Sequence, residues 1–121
     1  MPGSIHTAPA ESGDAVLGKT LPDLLYDAVD AYENPRALNQ PEGEGWTPLS
    51  LTDFQTQAEE VALGLRDLGL ERQDRVALLL ESDVDFCRVD MGCLIGGLID
   101  VPVYLSTSPE QMTYVIDHAE A

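Results

Sequence analysis

Lysine is almost missing from this chain. Among 121 residues Lys19 stands alone, and Arg36, Arg66, Arg72, Arg75 and Arg88 complete the cations against 22 acids, for a formal charge of −16. Such a surface repels phosphate backbones and anionic headgroups at long range, so neither nucleic acid nor a membrane surface is expected as a partner. Two readings of the acidity stay open: a solvated surface that keeps the chain soluble, and adaptation to high salt, where counterions screen self-repulsion.

Cysteine is scarce too. Cys87 and Cys93 lie six apart on a predicted helix, well off a common face at about 100° per residue. His6 and His118 are distant in sequence, so no disulfide or zinc spacing follows and a reducing, cytoplasmic compartment is expected. Long apolar runs are absent: the longest uncharged one, Met91 to Ile99, has nine residues, against the roughly 20 of a spanning helix. No transmembrane segment is expected. Met1 to Gly18 also lacks the basic and apolar regions of a secretory signal.

What is present suits one α/β domain, with 44% hydrophobic residues and 23% charged. Residues 1–19, rich in Pro, Gly, Ser and Ala, read as a disordered leader, and residues 20–121 as the folded body. Thr20 caps a first helix, with Pro22 and Asp23 in its first turn. Its apolar stripe is Leu21, Leu24, Leu25, Ala28, Val29 and Tyr32, and Asn34-Pro35 ends it. Ala37 to Gln40 and Trp46 to Leu49 flank Pro41-Glu42-Gly43-Glu44-Gly45, which predicts a small β-hairpin with a five-residue connection.

Ser50 and Asp53 then open a helix whose Phe54, Ala58, Val61, Leu65 and Leu68 recur every three or four residues, with Gly69 as its stop. Arg75 to Leu80 is an apolar run suited to a strand buried on both faces. Ser82 is the expected cap of the next helix, with Phe86, Val89, Cys93 and Leu94 inward until Gly96-Gly97. Ile99 to Tyr104 forms a second strand, in which Pro102 marks an edge, an irregularity or an end. Ser108-Pro109-Glu110-Gln111 caps a closing helix with Met112, Val115, Ile116 and Ala119 inward. Strand, helix, strand within one stretch predicts a right-handed βαβ unit with parallel strands flanked by helices.

The chemistry is thin. There is no GxxxxGK phosphate loop, and Gly92 to Gly97 reads as small residues that let a helix end approach a neighbour. Glu81, Asp83 and Asp85 follow a strand as the magnesium acids of receiver domains do, but that family needs a late lysine, and the plainer reading is charge on a first helical turn. His118 lacks a nucleophile beside it, and the cysteines read as core fillers. Trp46 and Tyr104 are expected to pack rather than line a pocket. An acyl-carrier reading fails because Ser82 precedes Asp83 instead of following an aspartate. No catalytic, cofactor-binding or metal-ligating residue is assigned.

Taken together, Thr20-Leu21-Pro22-Asp23-Leu24-Leu25, Ser50-Leu51-Thr52-Asp53-Phe54, Leu65-Arg66-Asp67-Leu68-Gly69-Leu70 and Asp74-Arg75-Val76-Ala77-Leu78-Leu79-Leu80 resemble the beginning of an adenylate-forming acyl-CoA synthetase. Gly97-Leu98-Ile99-Asp100-Val101-Pro102-Val103-Tyr104, Ser106 to Gln111 and Tyr114 to Ala121 are similar to its long-chain fatty-acid branch. Leu105, Ile95 and Gly96 depart from that branch's usual proline, basic residue and alanine.

The resemblance implies a partial amino-terminal domain of a ligase that uses ATP, Mg2+ and CoA to make acyl-CoA through an acyl-adenylate. The family's phosphate loop, nucleotide contacts and catalytic lysine lie beyond the segment resembled, so this chain alone is expected to be inactive. The expected partner is the remainder of the parent enzyme. In isolation, a homodimer through the Ile99 to Tyr104 edge or the Leu24, Leu25 and Val29 face is also expected. The alternative is a stand-alone acidic interaction domain derived from the same fold.

Overall fold

Local capping fixes where most of the helices begin. The computed structural model describes residues 3, 5 and 7–121, so the expectations for Met1, Pro2, Ser4 and His6 lie outside the described residues. A short 3-10 turn, Ala10–Gly13, buries nothing. Helix α1, Leu21–Ala31, starts on a reciprocal capping box between Thr20 and Asp23, and these hydrogen bonds, backbone first, hold the Asp23 carboxyl below its ordinary range. Lys19 pairs with Asp27 on the same helix.

Strands β1, Leu38–Glu42, and β2, Gly45–Leu49, form an antiparallel ribbon. Its connection is the two residues Gly43-Glu44, not the predicted five. Gly43 takes the positive φ (57°) that a tight hairpin turn requires, and Pro41 sits in the ladder opposite Trp46, tolerated because a two-stranded ribbon has a free edge.

Helix α2, Leu51–Asp67, is capped by the Ser50 hydroxyl, which accepts from the Asp53 amide at 3.0 Å. Its buried residues are Phe54, Ala58 and Ala62. The expected stripe therefore turns onto Ala62, and Leu68 stays 79% exposed because the helix has already ended beside it. Gly69, at φ 98°, closes the end: its amide donates to the Arg66 carbonyl at 2.9 Å and the Leu70 amide to that of Leu65 at 3.3 Å.

Strand β3, Arg75–Leu78, helix α3, Val84–Ile95, and strand β4, Ile99–Pro102, make the expected parallel βαβ unit, with Arg75 opposite Ile99 and Leu78 opposite Pro102. Pro102 is the strand end. Only Leu78 of β3 is buried, and Leu79 is exposed, so the strand is not covered on both faces as expected. Helix α3 closes on the Leu98 amide donating to Cys93 at 2.8 Å and the Gly97 amide to Leu94 at 3.2 Å. The Leu98 and Cys93 side chains are both buried there.

The centre of the molecule is the α2 and α3 contact, and small residues build it. A β-carbon on Gly92 would stand 2.6 Å from Val61 Cγ1 and 2.9 Å from the Ala58 carbonyl oxygen. Ala58 and Cys93 are fully buried. Helix α1 packs against this pair through Leu25, and its Tyr26 hydroxyl donates to Glu59 at 2.5 Å. On the Leu24, Leu25 and Val29 face, Leu25 is buried, while Leu24 and Val29 are half-buried. Helix α4, Pro109–Ala119, opens on a Ser108 and Gln111 capping box and buries no residue. Its far end is held by Arg75, which donates to the Ala119 carbonyl and to Glu120 at 2.7 Å each.

Candidate functional site

In open α/β sheets ligands gather beyond the carboxyl ends of parallel strands, so the residues after β3 and β4 are where chemistry would sit. Leu80, Glu81, Ser82 and Phe86 there face Pro102 to Leu105 across an open cleft. Glu81 lines this cleft, while the neighbouring acids Asp83 and Asp85 are already engaged. Asp83, not Ser82, caps α3, accepting from the Phe86 amide at 3.1 Å; its carboxylate also complements the positive end of the helix dipole. Asp85 pairs with Arg88. The Val84 amide donates to the Gln40 side chain of β1 at 3.1 Å. This helix start is therefore satisfied from within, which leaves it poorly suited to a phosphate.

Among the described residues no His, Cys, Asp and Glu trio is placed to share a metal ion. Among the described residues no lysine or arginine lines the cleft above, so these residues do not fit Mg2+-ATP. Exposed His118 stacks on Tyr114 with ring centroids 5.5 Å apart. Trp46 and Tyr104 are 62% and 82% exposed: contrary to expectation neither packs, because the ribbon face and the strand end that carry them meet no second layer in this chain.

Cys93 is a core filler. Burial, then the charges of Asp100 and Asp90, push its thiol up to about 11, the opposite of a reactive cysteine. Those aspartates were not singled out from sequence, although they stand immediately before and after the uncharged apolar run Met91 to Ile99. Asp90 of α3 and Asp100 of β4 meet carboxyl to carboxyl. Hydrogen bonding to Asp100, then burial, then its charge raise the Asp90 carboxyl to about 6 from an ordinary 3.8. The folded state thus holds this proton more tightly than the unfolded chain. Its contribution is complete below pH 4, falls as the pH rises toward 6, and is lost above that.

Asp90→Asn, which stays neutral and can donate to Asp100, should therefore gain about 1 kcal/mol at pH 7, solvent screening having reduced the full effect. Urea midpoints at pH 7 and pH 4 measure it. The gain should vanish at pH 4, and an equal difference at both values would refute the shared-proton account.

Residues 25–121 match the family model described as AMP-binding enzyme. The uncharacterized protein Rv1549 of Mycobacterium tuberculosis is 29% identical over 116 residues, covering 94% of this chain and 66% of that protein. The long-chain-fatty-acid–CoA ligase ACSBG1 of Rattus norvegicus is 30% identical over 102 residues, 84% of this chain but 14% of the ligase. Among solved structures, CmiS6 superposes with a TM-score of 0.76 at 26% identity over 97% of this chain and 29% of its own. A fatty acid AMP ligase from Legionella pneumophila shares the fold with a TM-score of 0.76 at 20% identity, over 88% of this chain and 19% of its own. The chain belongs to the AMP-binding enzyme family and resembles the amino-terminal part of its fatty-acid–CoA ligases.

Proposed function

We propose that residues 20–121 are the amino-terminal scaffold segment of a long-chain fatty-acid–CoA ligase, preceded by a leader over residues 1–19. The parent reaction joins fatty acid and CoA at the expense of ATP, releasing AMP and pyrophosphate. The family match across residues 25–121 carries this reading. In it the chain supplies the β3, α3, β4 unit, while ATP, Mg2+ and CoA are held by the remainder of the domain. Two free thiols, Cys87 and Cys93, and the absence of a membrane-spanning helix among the described residues support a reducing, cytoplasmic setting.

Among the described residues of this chain no cation lines the cleft beyond β3 and β4 and no acidic trio is placed to hold a metal, so none is positioned to neutralise charge developing on ATP phosphates. Incubated with ATP, Mg2+, a long-chain fatty acid and CoA, the chain by itself should release pyrophosphate no faster than the no-protein control. Release above that control would refute the scaffold assignment.

A second reading, an acidic interaction domain that uses the same fold without the enzyme, draws on the 94% of this chain that matches Rv1549. Homodimerisation through the β4 edge would suit it.

A further inference from the structure

We infer that the open edge of β4 and the turn after it, Ile99 to Leu105, seat the remainder of an AMP-binding domain when that remainder is a separate polypeptide. The inference rests on the scaffold reading above and adds assembly in trans. The α1, α2 and α3 side of the molecule closes its own core, with Leu25, Phe54, Ala58, Ala62 and Cys93 buried, and the helix starts and stops are satisfied locally. The other side is unfinished. Strands β3 and β4 pair only with each other, so β4 keeps an unpaired edge of backbone carbonyls and of the Asp100 and Tyr104 amides, interrupted as a donor row at Pro102, that is open to strand addition. Ile99, Tyr104 and Leu105 beside it are 46%, 82% and 47% exposed.

Charge selects the occupant. From Leu98 to Ser108 the single charged residue is Asp100, which faces Asp90 of the same chain, so the seat itself is apolar. A second copy would bring another 16 negative charges against the first. The complementary part of the domain is what the family match calls for: this chain covers 14% of the ACSBG1 ligase. The same segment also makes up 66% of Rv1549, a relative far shorter than the ligases.

The test is a chimera. The Mycobacterium bovis ligase FadD15, 32% identical over 76 residues, receives this whole chain in place of its matching segment, with a protease site after Ala121. Cut after purification, the pieces should stay together as a one-to-one complex by light scattering at micromolar concentration, and re-form after separation. Tyr104→Glu with Leu105→Glu, both on exposed positions, should weaken re-formation at least tenfold while leaving the free chain's circular dichroism unchanged. Pieces that separate on cutting, or a double variant that rejoins like the parent, overturn the inference, as does a free chain that only pairs with itself. Should the chimera not fold, titrating the 121-residue chain onto FadD15 shortened by its own segment gives the same readout, with no binding at tens of micromolar as the overturning result. Activity is read separately: an inactive uncut chimera whose pieces rejoin counts against the scaffold reading alone, and an active one that falls apart counts against trans assembly alone.

Discussion

Gly92→Ala should lower stability by about 2 kcal/mol or more, a fall in thermal midpoint of roughly 10 °C for a chain of this size. The new methyl would lie 2.6 Å from Val61 Cγ1 and 2.9 Å from the Ala58 backbone oxygen. The first neighbour can rotate, but the second is main chain of α2 and can retreat only if the helices part. Because Ala58, Ala62 and Cys93 are all buried along this contact, separation would open space that no large side chain stands ready to fill. Gly64→Ala is the matched control. It lies in the same pair of helices with nothing within 4 Å of its added carbon, and should gain up to about 1 kcal/mol from helix propensity. Thermal melts of the two variants should move in opposite directions; a common direction would show that the α2 and α3 spacing is not set by glycine.

Salt is the second strong lever. With a net charge of −16 and three ion pairs, Lys19 to Asp27, Arg75 to Glu120 and Arg88 to Asp85, among the described residues, repulsion between carboxylates opposes the compact state at low ionic strength. At about 1 M salt the Debye length falls to roughly 3 Å, shorter than the spacing of most surface charges. Those same ion pairs are surface pairs worth little, so screening them costs little. The thermal midpoint in molar NaCl should exceed that in dilute buffer by at least about 5 °C, equivalent to roughly 1 kcal/mol. Equal midpoints would remove both the self-repulsion account and the high-salt reading of the composition.

The helices were legible because their ends are written in local residues. Thr20 with Asp23, Ser108 with Gln111 and Gly69 each act within one turn of chain, and the structure uses each as expected. The βαβ unit followed from the order of elements. Three readings went astray where the deciding partner is distant or where neighbours compete. Asp83 displaced Ser82 as the α3 cap, a contest between adjacent good caps that spacing alone does not decide. The hairpin connection contracted to two residues because a proline in a free-edged ribbon loses nothing. Trp46, Tyr104 and Leu79 were expected to pack, but the layer that would cover them is not built by these residues. The Asp90 and Asp100 pair escaped notice because ten positions of sequence separate two groups that only the helix-to-strand return brings together.

The Arg75 clasp on α4 has a consequence for how the chain breathes. A helix with no buried residue, joined at its far end by two hydrogen bonds from a single guanidinium, can detach without disturbing the α2 and α3 contact. Opening is therefore tiered: α4 lifts at small free-energy cost, while the amides of α2 and α3 stay closed until the whole chain unfolds.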